Sequence, residues 1–109
     1  IKLMFICFEK NKEYYRRLFE ITGQNSFGEF FAHYCEETFF CILSRHPMKK
    51  MPCDLITPQS LAHYNALLLI EILKLWLSSP KNVPAEKIFE AYQYIMRTPI
   101  LDMIQYPEI

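Results

Sequence analysis

The run from Thr57 to Ser78 constrains this chain more than any other stretch. Thr57 is a good N-cap residue and Pro58 suits the first helical position, so a helix is predicted to open there and run to Ser78. Along it Ser60, His63, Glu71, Lys74 and Ser78 fall mostly on one narrow strip, interrupted by Leu67. Nearly all the remaining circumference is apolar: Leu61, Ala62, Tyr64, Ala66, Leu68, Leu69, Ile70, Ile72, Leu73, Leu75, Trp76 and Leu77. A helix that is apolar over most of its girth needs two packing partners rather than one. With only three other helices predicted, the second partner is expected to be another subunit. Glu71 and Lys74 break the run, which therefore falls short of the ~18 continuous apolar residues of a membrane span. No membrane partner is expected.

Three further helices are readable. The first is predicted from about Leu3 to Thr22, with Glu13 placed four residues before Arg17 for a helical ion pair and Gly23 as its left-handed stop. The second opens on the capping box Ser26-Phe27-Gly28-Glu29. It carries an aromatic stripe of Phe27, Phe30, Phe31, Tyr34, Cys35, Thr38, Phe39 and Ile42, and ends before Pro47. Arg45 to Ile56 reads as a loop with Pro47, Pro52 and the pair Lys49-Lys50. After a short connection the last helix runs from Pro84 to Arg97, with Ala85, Ile88, Phe89, Tyr92, Ile95 and Met96 on its apolar face. Thr98 to Ile109, with Pro99 and Pro107, is expected to be partly ordered. No period-two alternation competes, so the chain is predicted to be all-α, a small antiparallel helical bundle of about four helices forming one domain over 1–109.

Composition narrows the function. Twelve Lys and Arg balance 12 Asp and Glu, and a neutral surface argues against phosphate binding by this part of the protein. The chain begins Ile1-Lys2 rather than with Met, which reads as a piece of something longer. Only 2 Gly leave little material for phosphate loops. Cys7, Cys35, Cys41 and Cys53 form no C-x-x-C pair, and a reducing cytoplasm is expected. His33 and Cys35 point to different sides of a helix, His33 and Glu37 suit a solvated face, and His46 and Cys53 share a loop without a full ligand set. No metal site, cofactor or catalytic group is expected.

A binding role fits better. Bundle pockets are lined by apolar and aromatic side chains with a few polar groups. The candidates for such a pocket are Tyr15, Phe19, Phe31, Tyr34, Phe39, Tyr64 and Asn65. Asn65 stands off the polar strip, and a buried Asn needs a partner.

Two stretches carry a family resemblance. Phe8 to Phe19 (FEKNKEYYRRLF), followed by Gly23 and Ser26-Phe27, resembles the opening of the C-terminal domain of TetR-like transcriptional regulators. Ala66 to Leu77 (ALLLIEILKLWL), then Pro84 to Glu90 (PAEKIFE), is similar to the closing helices of such domains. The resemblance implies a regulatory domain that forms a homodimer and senses a small apolar or aromatic effector. It implies that operator DNA is bound only through an N-terminal helix-turn-helix domain outside these residues. It also implies dimerisation through Ile70, Leu73, Trp76, Leu77, Ile88, Tyr92 and Ile95. The alternative is a helical protein–protein interaction module without a small-molecule site.

Overall fold

In the computed structural model, which describes residues 1–23 and 26–105, the predicted caps set the helix ends. Ser26 Oγ accepts from the Glu29 amide at 3.2 Å and opens one helix; Thr57 Oγ1 accepts from the Ser60 amide at 3.1 Å, with Pro58 behind it, and opens the longest. Among the described residues five α-helices result: α1 (Lys2–Glu9), α2 (Lys12–Glu20), α3 (Phe27–Ser44), α4 (Pro58–Ser78) and α5 (Ala85–Arg97), followed by a short 3-10 turn at Ile100–Asp102. The last four residues of the expected C-terminal stretch, 106–109, lie outside the described residues.

The predicted first helix is in fact two, α1 and α2. Asn11 leaves the helical region (φ −143°, ψ 54°) and separates them. Asn11 is a weak helix former and a favoured N-cap type, though its side chain makes no cap bond here, and packing adds the larger reason. With the chain bent at Asn11, α1 lies against α5 while α2 reaches α3 and α4. The bend also brings the Phe8 ring onto Tyr15 in a stack with centroids 4.2 Å apart. One straight helix of this length, ~1.5 Å per residue, has no means of facing both groups of partners. Beyond α2 the chain turns at Gly23, whose φ of 111° is the left-handed geometry that favours glycine.

α4 is the centre of the bundle. Its longest packing seam is with α3, and α2 and α5 close other sides. Ala62, Ala66, Leu69, Ile70, Leu73, Trp76 and Leu77 are buried along one side. All of these but Ala62 meet Phe5 and Phe8 of α1, Phe31 and Cys35 of α3, and Ala85 and Tyr92 of α5 in one core. Two polar bonds fix the α4–α5 corner. Trp76 Nε1 donates to the Val83 carbonyl at 2.8 Å, and the Ala85 amide donates to Glu9 Oε2 at 2.6 Å. The second places the carboxylate of Glu9, at the end of α1, on the N-terminus of α5, where the helix dipole favours an anion. By length and composition α4 is the one helix among the described residues that is apolar enough to cross a membrane. Here its buried side is the core, and Glu71 and Lys74 stand exposed on its outer side.

Candidate functional site

An open cleft of about 230 Å³ lies where α1, α3 and α4 meet, lined by Ile1, Met4, Phe31, Tyr34, Cys35, Thr38, Phe39 and Leu69. Its walls follow from helix periodicity. Phe31, Tyr34, Cys35, Thr38 and Phe39 recur at three- and four-residue spacing, so one side of α3 supplies most of the surface. Met4 and Leu69 close it from α1 and α4. The polar groups are few. Thr38 Oγ1 donates to the Tyr34 carbonyl at 2.9 Å, which occupies its proton. The Cys35 thiol is buried, and that burial pushes its pKa up to about 11, so it stays a neutral thiol. The cleft is thus uncharged and aromatic, suited to an apolar or aromatic guest.

Of the seven pocket candidates, Phe31, Tyr34 and Phe39 line this cleft. Tyr15 and Phe19 stand behind it in an aromatic cluster that shares the Phe31 ring; Phe19 and Phe31 have centroids 5.9 Å apart. Tyr64 lies elsewhere, half exposed beside a shallow hollow with Glu36, Ser60 and His63. Asn65 donates to the Leu61 carbonyl at 2.8 Å, so its partner is its own helix. Ile1, Met4, Cys35, Thr38 and Leu69 also line it without having been expected there; Cys35 and Thr38 follow from the α3 stripe and the other three do not. Met4 sits in a run apolar on all sides, and nothing local tells which side meets α3.

Most residues expected at a subunit interface lie in the core of the protomer. Ile70, Leu73, Trp76, Leu77 and Tyr92 are all buried within the protomer, with Leu73 at 0% exposure, and Ile88 is half-buried against the same core. Ile95 alone is exposed. Their burial leaves no free surface on the inner side of α4. The apolar surface that remains on α4 is its outer stripe, Tyr64, Leu67 and Leu75, with Leu68 and Ile72 half-buried beside it.

Two of the three histidines make ordinary pairs. His63 Nδ1 meets Glu36 Oε2 at 3.0 Å and ties α4 to α3, while His33 Nε2 meets Glu37 Oε1 at 2.9 Å within α3. On α2, Arg16 holds both Glu13 and Glu20, and Arg17 adds a bond to Glu13 at 3.3 Å. The Arg16 guanidinium holds the Glu13 carboxyl down to about 2.

Fold and cleft together define a small all-α domain with an aromatic recess between its helices, built on a long central helix. The chain matches the family described as the C-terminal region of TetR-type transcriptional regulators over residues 1–98, and it belongs to that family. Neither the curated proteins nor the solved structures compared give a match. Domains of this family belong to transcription regulators, which generally act as dimers and bind DNA through an N-terminal domain; such regulatory regions are typically non-enzymatic.

Proposed function

We propose that this domain senses a small apolar or aromatic effector in the cleft between α1, α3 and α4, and that it pairs two copies of a cytoplasmic regulator. The observation that carries the reading is the uncharged, aromatic cleft itself, in a chain whose family regulates transcription. Its volume of about 230 Å³ exceeds the ~150 Å³ apolar cavity that accepts benzene. A guest of one aromatic ring or a short acyl chain therefore fits. Such a guest sits between Met4 and Phe31. It favours the α1–α3 spacing that leaves room for it, and through α1 it biases the placement of an N-terminal DNA-binding domain. The effector shifts operator affinity only by its differential affinity for the two arrangements.

Pairing is assigned to the outer stripe of α4, Tyr64, Leu67 and Leu75, with Ile95 exposed on α5. The inner side, already buried, takes no part.

The test is thermal denaturation of the domain against a panel of single-ring aromatics, beside Thr38→Phe, an exposed position whose larger ring fills the cleft. A ligand at 100 times its Kd stabilises by about 2.7 kcal/mol. Stabilisation of the unaltered chain that disappears in Thr38→Phe is expected. No stabilisation by any member, or equal stabilisation of both proteins, overturns the sensing reading. In parallel, light scattering is expected to find a dimer that Leu75→Glu converts to monomer; a monomeric unaltered chain overturns the pairing.

A further inference from the structure

The connection between α3 and α4 concentrates sulfur. The chain has 5 Met and 4 Cys, and Met48, Met51 and Cys53 fall within six consecutive residues. All three line one open cleft of about 250 Å³, whose far wall includes Thr57 and Pro58 at the start of α4. Cys53 is a free, exposed thiol. Met48 is 40% exposed, so its thioether is not serving as core filling. None of the residues of the aromatic cleft takes part. Among the described residues His, Cys, Asp and Glu form no group of three able to hold an ion. Thioethers are a different class of donor, and here two of them share a cavity with a thiol.

Donor softness selects the ion. Thioether and thiolate sulfur favour Cu(I), whereas Mg²⁺, Ca²⁺ and Mn²⁺ seek oxygen. We propose that Met48, Met51 and Cys53 form a three-coordinate Cu(I) site. Cys53 binds as thiolate and its proton leaves to solvent, while Met48 Sδ and Met51 Sδ each donate a lone pair. The metal arrives and remains as Cu(I), so no electron is transferred. One thiolate against one monovalent cation gives a neutral centre, and Lys49 and Asp54 on the cleft wall offset each other. Pro52, between Met51 and Cys53, restricts the backbone and limits the ordering needed on binding. The bound ion orders the loop beside the first turn of α4, at a place separate from the aromatic cleft.

The test uses the full chain with Cys7→Ser and Cys41→Ser, which removes the other exposed thiols. Methionine methyl groups are labelled with ¹³C and the protein is titrated with Ag(I), a redox-inert stand-in for Cu(I). The Met48 and Met51 methyl signals are expected to move together and saturate at one equivalent, while those of Met4, Met96 and Met103 stay in place. Cys53→Ser should abolish the movement. Met48→Leu with Met51→Leu should weaken Cu(I) retention against a chelator by at least about tenfold, the lower end of what even outer-shell losses cost at metal sites. The three positions lie outside the helices, so helical circular dichroism reports directly that each variant is folded. Ag(I) uptake by the thiol with unmoved Met48 and Met51 methyls, or chelator competition unchanged in the double Leu variant, overturns the proposal.

Discussion

Tyr92→Phe should make this domain more stable. Tyr92 is 3% exposed, and its ring packs 6.0 Å from that of Phe5 between α5 and α1. Its hydroxyl is buried and has no hydrogen-bond partner among the described residues. Water that solvated it in the unfolded chain is lost on folding with nothing in return, a penalty of about 1–3 kcal/mol. Phe keeps the ring contacts and removes the penalty, so an increase of about 1 kcal/mol or more is expected. In a domain of this size each kcal/mol moves the melting temperature by about 4–8 °C. Urea and thermal denaturation followed by circular dichroism measure it directly. The alkaline limb supplies a second readout. Burial, with the neighbouring Cys35 adding to it, pushes the Tyr92 hydroxyl from its ordinary value near 10 up to about 12. The folded state therefore holds the neutral form more strongly than the unfolded chain does. That contribution is whole below pH 10 and drains away between pH 10 and 12, as the unfolded chain ionises first. Tyr92→Phe should lose less stability across that window than the unaltered protein. A variant that is less stable by about 1 kcal/mol at neutral pH would refute the reasoning, since it would mean the hydroxyl is bonded after all.

Two other substitutions probe the α4–α5 corner. Glu9→Ala removes the carboxylate that receives the Ala85 amide at 2.6 Å and should cost about 1 kcal/mol in urea denaturation, with Glu9→Gln recovering part of it. Trp76→Phe strands the Val83 carbonyl that Trp76 Nε1 reaches at 2.8 Å and leaves a void beside Phe5; a loss of about 2–3 kcal/mol is expected from the same measurement.

Local signals in the chain were enough for the starts of α3 and α4. Ser26, Thr57 and Pro58 act through their own neighbours within one turn, so their caps stand where the sequence places them. The Glu13–Arg17 pair is likewise local and is present at 3.3 Å. The break at Asn11 is another kind of event. Asn11, a weak helix former and a favoured N-cap type, marks the place, but the bend is stabilised by Phe8 meeting Tyr15 and by α1 meeting α5, a partner far along the chain. The cleft divides the same way. Its α3 wall was readable from one stripe, whereas Met4 and Leu69 entered only through the crossing of three helices.

The side of α4 left free for the proposed pairing turns on one asymmetry. Periodicity measures how much apolar surface a helix has, but not which half meets its own chain. On α4 the bulkiest continuous half, Ile70, Leu73, Trp76 and Leu77, faces inward and is buried. The other half, Tyr64, Leu67 and Leu75, is split by Glu71 and stays exposed. Packing within one chain loses no translational freedom, whereas association of two chains loses an estimated 4 kcal/mol or more before any contact counts. The stronger apolar half is therefore satisfied inside the protomer first. What remains for the proposed second copy is the weaker, charge-interrupted stripe. A lone Glu71 facing its symmetry mate at such an interface repels it unless Lys74, 3.9 Å away on the same helix, answers the charge. Pairing through this stripe should accordingly weaken when Lys74 is replaced by Glu, and that replacement leaves the buried half of α4 untouched.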